Sequence, residues 1–187
     1  MPLLAVRLTR GAGGPVRGLL LGALLFSWLG DVLLLADKHY GSFFLFGLVA
    51  FLLAHVAYIW MFVELRSVNG VAVRPHPAVY AGILAYAAAM IVVLRGYAGG
   101  MIYAVAVYAA VISVMFLASI RAFDLRRDLF GRICVLGTFL FLVSDSLLAV
   151  NRFMYPIPYA PLLVMSTYGL AQFLIADGVS RNAGGGR

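Results

Sequence analysis

Residues 39–63 read HYGSFFLFGLVAFLLAHVAYIWMFV, twenty-five positions without one Asp, Glu, Lys or Arg. A helix rises about 1.5 Å per residue, so about 20 apolar residues cross the hydrocarbon core of a bilayer. This stretch is long enough. Outward from it, residues 77–94, 96–120 and 153–176 are also uncharged, and 18–36 and 133–151 reach spanning length with one acid each, Asp31 and Asp145. Six helices are therefore expected, near 16–36, 42–64, 77–95, 99–120, 130–150 and 157–178. Gly41, Asn69-Gly70, Pro75, Pro77, Gly99-Gly100, Pro156 and Pro158 punctuate the short connections between them.

Composition agrees. Of 187 residues, 64% are hydrophobic and 11% charged, whereas soluble domains carry about a quarter charged residues. Too few polar groups remain to cover a water-facing surface, which excludes a soluble enzyme. Apolar surface is ample, which excludes disorder. The fold class is all-α: a polytopic transmembrane helix bundle with six full spans, one domain over 1–187. Residues 1–15 form a lead-in whose apolar stretch is too short for a signal peptide. Residues 179–187 read as a flexible, Gly-rich tail. Gly18 and Gly22 have the small-xxx-small spacing of close helix packing. The lone Cys134 excludes an intrachain disulfide or a CxxC pair and reads as a small buried hydrophobe.

The net charge of +7 reflects thirteen Arg and Lys38 against seven acids. In a membrane protein this sign reports topology rather than nucleic-acid binding. With a cytoplasmic N-terminus, the inner segments hold Arg7, Arg10, Arg17, Arg66, Arg74, Arg121, Arg126, Arg127, Arg132, Arg181 and Arg187. Only Lys38, Arg95 and Arg152 remain outside. Eleven against three is a positive-inside pattern, so both termini are expected in the cytoplasm of a cell-membrane protein, bacterial plasma membrane being the expected location.

An acid inside the hydrocarbon costs several kcal/mol, which marks it as a functional candidate. Asp31 and Asp145 each sit about five residues from the outer end of their helix, about 7–8 Å below the boundary. Two costly acids thus share one depth on two helices. The bland alternative is a structural polar pair that hydrogen-bonds across the bundle. Ser27 lies one turn before Asp31 on the same face; His55 with Tyr58, and Tyr168 with Gln172, are spaced to share a face. Tyr108 and Ser113 occupy the fourth helix. Singly, each is more often a helix–helix hydrogen bond than a catalyst. Together with the acids they suggest a polar cavity opening outward. No metal is expected: His39, His55 and His76 fall at the outer boundary, mid-bilayer and the inner boundary, far beyond the ~2 Å reach of a zinc ligand. No GxSxG, HExxH, P-loop or GxGxxG is present.

Four segments carry a resemblance. Ser27-Trp28-Leu29-Gly30-Asp31-Val32-Leu33-Leu34, Gly47 to Tyr58, Ser144-Asp145-Ser146-Leu147-Leu148-Ala149 and Tyr168 to Ile175 together resemble the YhhN family, over about residues 16–178. That family includes the lysoplasmalogenases, multi-pass hydrolases of the lysoplasmalogen vinyl ether. It has about eight spanning helices, and Met1-Pro2-Leu3-Leu4 resembles the interior of its second. The resemblance thus implies that N-terminal helices are missing or truncated here.

The resemblance also implies that Asp31 and Asp145 are the catalytic pair; the polar groups Ser27, His55, Tyr58, Tyr108, Ser144, Tyr168 and Gln172 are expected to line the substrate pocket around them. The chemistry suits two carboxyls. Protonating the β-carbon of a vinyl ether gives an oxocarbenium ion; water adds, and the hemiacetal collapses to a fatty aldehyde and glycerophosphocholine or glycerophosphoethanolamine. One carboxyl must stay protonated near neutral pH, which low dielectric favours, while a second stabilises the cation and orients water. The expected partner is a lysoplasmalogen or related ether lysolipid, with no cofactor, and Arg152 or Lys38 either meeting its phosphate or serving only as interfacial anchors. Two other functions fit paired membrane acids: a proton-coupled small-solute transporter, or a non-catalytic lipid-binding protein. The transporter reading is disfavoured because the spans carry few internal breakers, with no paired Gly/Pro-interrupted spans and no evident inverted repeat.

Overall fold

A computed structural model describes residues 14–40, 43–71 and 74–184. Among them are six helices long and apolar enough to cross a membrane: α1 (Gly14–Tyr40), α2 (Phe44–Val68), α3 (Pro77–Leu94), α4 (Ile102–Ala122), α5 (Leu129–Phe153) and α6 (Ala160–Gly184). These are the six spans expected from the uncharged runs, with ends moved by a few residues.

Local chemistry sets those ends. A helix leaves its first amides without partners, and three starts here find one in a side chain. The Phe44 amide that opens α2 donates to Asp37 Oδ1 at 2.9 Å, so the end of α1 caps the next helix. At α3, Pro77 takes the first position and His76 Nδ1 accepts from the Ala78 amide at 3.2 Å. At α5, Asp128 Oδ1 accepts from the Gly131 amide at 2.9 Å. A 3₁₀ turn, Gly99–Met101, leads into α4; Gly99, at φ +51°, supplies a backbone shape that side chains resist.

The C-terminus departs from expectation. Instead of loosening at 179, α6 continues to Gly184. Val179 and Ser180 are buried, and Asn182 ties the last turn down. It donates to Asp128 Oδ2 at 2.5 Å and accepts from Asn69 Nδ2 at 3.1 Å. Residues 185–187, and the lead-in to residue 13, lie outside the described residues.

Helix α1 packs along α2, α5 along α6, and α4 lies against α2, α3 and α5. Among the described residues, the expected close packing at Gly18 and Gly22 is not seen, since a Cβ at either would meet none of their atoms within 4 Å. Close approach occurs elsewhere. A Cβ on Gly47 would lie 2.9 Å from Leu34, and one on Gly30 would lie 2.6 Å from the Phe51 ring. On the other pair, Gly137 faces the Ala171 carbonyl at 2.9 Å and Gly178 the Phe130 carbonyl at 2.7 Å. Cys134 is buried against Gly178, as the small hydrophobe expected.

Contacts define two ends of the bundle. At the first, here the upper end, α1, α3 and α5 finish and α2 and α4 begin: Phe44 meets Phe153 edge-on, and Leu94, Ala98 and Val105 form a small core with Ala149 and Phe153. At the lower end, Asn69 joins α2 to Ala122 of α4 and Asn182 of α6. Leu20, Met61, Phe62, Leu65, Met115 and Ile175 fill the lower half. Leu94 is the one fully buried residue of α3. Trp60, Leu84 and Leu162 point outward, as apolar side chains do when lipid is their solvent.

Candidate active site

Above the hydrocarbon-filled lower half, polar side chains from all six helices meet. Three long side chains bridge the α1–α2 pair and the α5–α6 pair. Tyr168 on α6 donates to Asp31 Oδ2 on α1 at 3.1 Å. Tyr58 on α2 donates to Gln172 Oε1 on α6. His55 on α2 brings Nε2 to 3.5 Å from Asp145 Oδ2 on α5.

Each acid therefore has its own tyrosine. Tyr108 on α4 donates to Asp145 Oδ2 at 2.5 Å, as Tyr168 does to Asp31. The two carboxyl groups are within electrostatic reach of each other. Asp31 remains partly exposed, whereas only 10% of the Asp145 side chain is accessible. Phe141 sits among their partners: its ring centroid is 4.8 Å from that of His55, 5.4 Å from Tyr168 and 6.3 Å from Tyr58, all edge-on. Aromatic edges and oxygens, rather than aliphatic packing, shape this layer.

A cavity in the upper half runs from Asp145, Tyr108 and Tyr86 to Leu94, Phe44 and Phe153 at the upper end. Its character corrects the expectation of a polar chamber. Between the carboxyl and the upper end the wall is Leu48, Met90, Val105, Leu148 and Ala149, with polar groups at the inner end only. Of the residues singled out in the sequence, Asp145 and Tyr108 line it. Asp31, Ser27, His55, Tyr58, Ser144, Tyr168 and Gln172 do not. Phe51 borders the cavity, packs on Gly30 beside Asp31 and meets Tyr168 edge-on at 5.9 Å, so its ring stands between the Asp31 side and the cavity.

The remaining expectations divide. Ser27 is buried next to Asp31, with its hydroxyl unpartnered. Ser144 donates to the Val164 carbonyl at 3.1 Å and so stitches α5 to α6. Ser113 bonds its own helix at the Ala109 carbonyl. The Lys38 side chain lies outside the described residues. Arg152 is no lone anchor, because its Nη1 pairs with Asp37 Oδ2 at 3.1 Å and its guanidinium lies 4.3 Å above the Phe44 ring. Two partners went unforeseen. Asp37 is one, buried and shared between Arg152 and the Phe44 amide. Tyr86 is the other, hydrogen-bonded to Ser146 Oγ at 2.8 Å on the cavity wall.

The YhhN family profile matches residues 1–179. The chain belongs to the YhhN family. Lysoplasmalogenase TMEM86B of Rattus norvegicus is 30% identical over 172 residues, 92% of this chain and 66% of that protein. The Sus scrofa TMEM86B lysoplasmalogenase is 32% identical over 173 residues, 91% of this chain and 67% of that one. Human lysoplasmalogenase TMEM86A is 31% identical over 157 residues, 82% and 61% respectively. This YhhN chain thus spans about two thirds of the length of the relatives it matches. No solved structure matches it significantly.

Proposed function

We propose that this YhhN chain hydrolyses the vinyl-ether bond of lysoplasmalogens inside the membrane, with Asp31 and Asp145 as its acid/base pair. One observation carries the reading: two carboxyls on separate membrane-spanning helices, each bonded to its own tyrosine, lie within electrostatic reach of each other, and an apolar cavity runs up to one of them. A general acid for carbon protonation must be shielded from bulk water yet reachable by the alkenyl chain, and Asp145 meets both conditions. Asp31, partly exposed, suits the role of the carboxylate that orients water.

The positive-inside pattern supports placing the upper end at the extracytoplasmic leaflet. Exposed Tyr97, Tyr103, Tyr155 and Tyr159 at that end are placed as an interfacial aromatic belt. The lysolipid phosphate would then lie near the half-exposed Arg152, whose charge Asp37 holds on one edge only. Of the lipid classes, 1-alkenyl lysophosphatidylcholine and its ethanolamine counterpart are the proposed substrates, in keeping with the lysoplasmalogenase names of the relatives.

The test is fatty-aldehyde release by the purified chain from 1-alkenyl, compared with 1-acyl, lysolipids in micelles. The alkenyl substrate is cleaved and the acyl one is not. Asp31→Asn and Asp145→Asn retain lipid binding and lose turnover. Normal turnover in both variants overturns the assignment.

A further inference from the structure

His55 is fully buried and its ring is fixed on several sides. Nδ1 lies 2.6 Å from the carbonyl oxygen of Phe51, one turn earlier on α2. A carbonyl oxygen only accepts, so Nδ1 carries the hydrogen. The rings of Phe141 and Tyr108 press edge-on, with centroids at 4.8 and 5.2 Å. The imidazole cannot turn without losing all three contacts. Nε2 therefore points one way, and there it meets Asp145 Oδ2 at 3.5 Å, with no hydrogen-bond partner of its own.

That contact is informative because of what each atom can offer. With Nδ1 protonated, the Nε2 of a neutral ring is a bare lone pair, and an ionised carboxylate oxygen offers lone pairs alone. Two acceptors facing each other out of water repel, while one hydrogen between them makes a bond. Tyr108 does not supply it, since its hydroxyl hydrogen is already committed to Oδ2.

We propose that His55 is a positioning residue for Asp145, holding one proton between Nε2 and Oδ2 so that the carboxyl waits in its acid form. The proposal deepens the hydrolase reading and rests on it for the use made of the proton. In turnover the carboxyl proton passes to the alkenyl β-carbon, and the C=C pair forms the new C–H bond. Water oxygen adds to the resulting oxocarbenium carbon and returns a proton to the Asp145 carboxylate. The bond from that carbon to the glycerol oxygen then breaks, the hemiacetal hydroxyl proton passing to that oxygen and leaving the aldehyde. His55 finishes as it began, facing a protonated acid. The other ionisable groups around this pair are Tyr108 on α4, Tyr86 on α3, Asp31 on α1 and Tyr168 on α6.

Two measurements on the full chain in detergent test this. Infrared spectra at neutral pH show a protonated-carboxyl C=O stretch that vanishes in Asp145→Asn and changes frequency in His55→Gln; ¹⁵N spectra of wild-type His55 show Nδ1 protonated. Turnover of 1-alkenyl lysolipid by His55→Gln falls about 10-fold in kcat with KM little changed. Its alkaline limb also moves to lower pH by roughly one unit, because a glutamine N–H stabilises the ionised carboxylate that the imidazole lone pair opposes. A limb that does not move, or no Asp145-dependent carboxyl band in wild type, overturns the proposal. Should His55→Gln not fold, the wild-type spectra and Asp145→Asn still decide. A wild type that releases no aldehyde defeats the hydrolase reading instead, and the infrared band still judges the shared proton.

Discussion

Tyr108 of α4 sets its hydroxyl 2.5 Å from Oδ2 of Asp145 on α5, and both groups line the same cavity. The carboxyl is thus held by a donor from a neighbouring helix at the point where substrate would arrive. Tyr108→Phe keeps the ring and removes that donor. A 10- to 100-fold fall in kcat is expected, of the order assigned to a positioned proton-transfer group. Unfolding should cost only about 1 kcal/mol less than in wild type. Aldehyde release and thermal denaturation in micelles check both. Unchanged kcat would make Tyr108 a packing residue.

Tyr168→Phe asks the same of the other acid. It leaves Asp31 without its tyrosine while sparing the cavity wall. If Asp31 orients water, kcat falls and lipid affinity holds. A rise in KM alone would put Asp31 in substrate binding.

At the α5–α6 crossing, Gly178→Ala would drive a methyl group to 2.7 Å from the Phe130 carbonyl oxygen and 2.9 Å from the Cys134 amide nitrogen. Backbone atoms cannot step aside as a side chain can, so a loss of about 1–3 kcal/mol is expected. Gly22→Ala, with open space around it, is expected to be neutral. Paired denaturation curves decide, and equal stabilities would mean the crossing is looser than drawn.

Asp37 has two partners and Arg152 has one polar one, so the two substitutions are unequal. Asp37→Ala removes the Phe44 amide cap and the ion pair together, costing about 2 kcal/mol. Arg152→Gln, at a half-exposed end of the pair, costs about 1 kcal/mol or less. It should also raise KM for the lysolipid. No change in KM would remove Arg152 from the headgroup site.

Cys134 is fully buried against Gly178, and it is the chain's one cysteine. A maleimide reagent should leave the folded protein unlabelled and react after denaturation. Rapid labelling of the native protein would contradict the packing of α5 on α6.

The six helices were legible because hydrocarbon tolerates so few charges that its length is written directly into the uncharged runs. The nearness of Asp31 and Asp145 was foreshadowed by helix arithmetic, which puts the two acids at one depth. Their tyrosines were visible as polar residues at compatible depth, but which tyrosine serves which acid depends on the azimuth of each helix, and no spacing within one helix supplies that. The Asp37–Arg152 pair went unforeseen, although a signal existed. Asp37 lies six residues beyond Asp31, and Arg152 seven beyond Asp145, so two positions on helices already aligned by their acids had to share a level too. The glycine contacts were misread because Gly18 and Gly22 have the right spacing but meet no other described residue closely, whereas Gly137 and Gly178 lie on two different helices of one crossing, with no common interval to mark them. The apolar character of the cavity was hidden for a related reason: Leu, Met and Val look alike whether they face lipid or line a chamber.

Beneath the acid-bearing layer, Leu20, Met61, Phe62, Leu65, Met115 and Ile175 close the bundle with hydrocarbon. The Ser119–Thr138 hydroxyl pair below that layer closes its bonds onto its own helices, at the Phe116 and Val135 carbonyls. Among the described residues, no relay of hydrogen-bonding groups leads from the two aspartates to the lower end. On the proposed hydrolase reading, such a layout would let hydrogen ions be traded with substrate without any described path carrying them onward and draining the voltage across an energised bilayer.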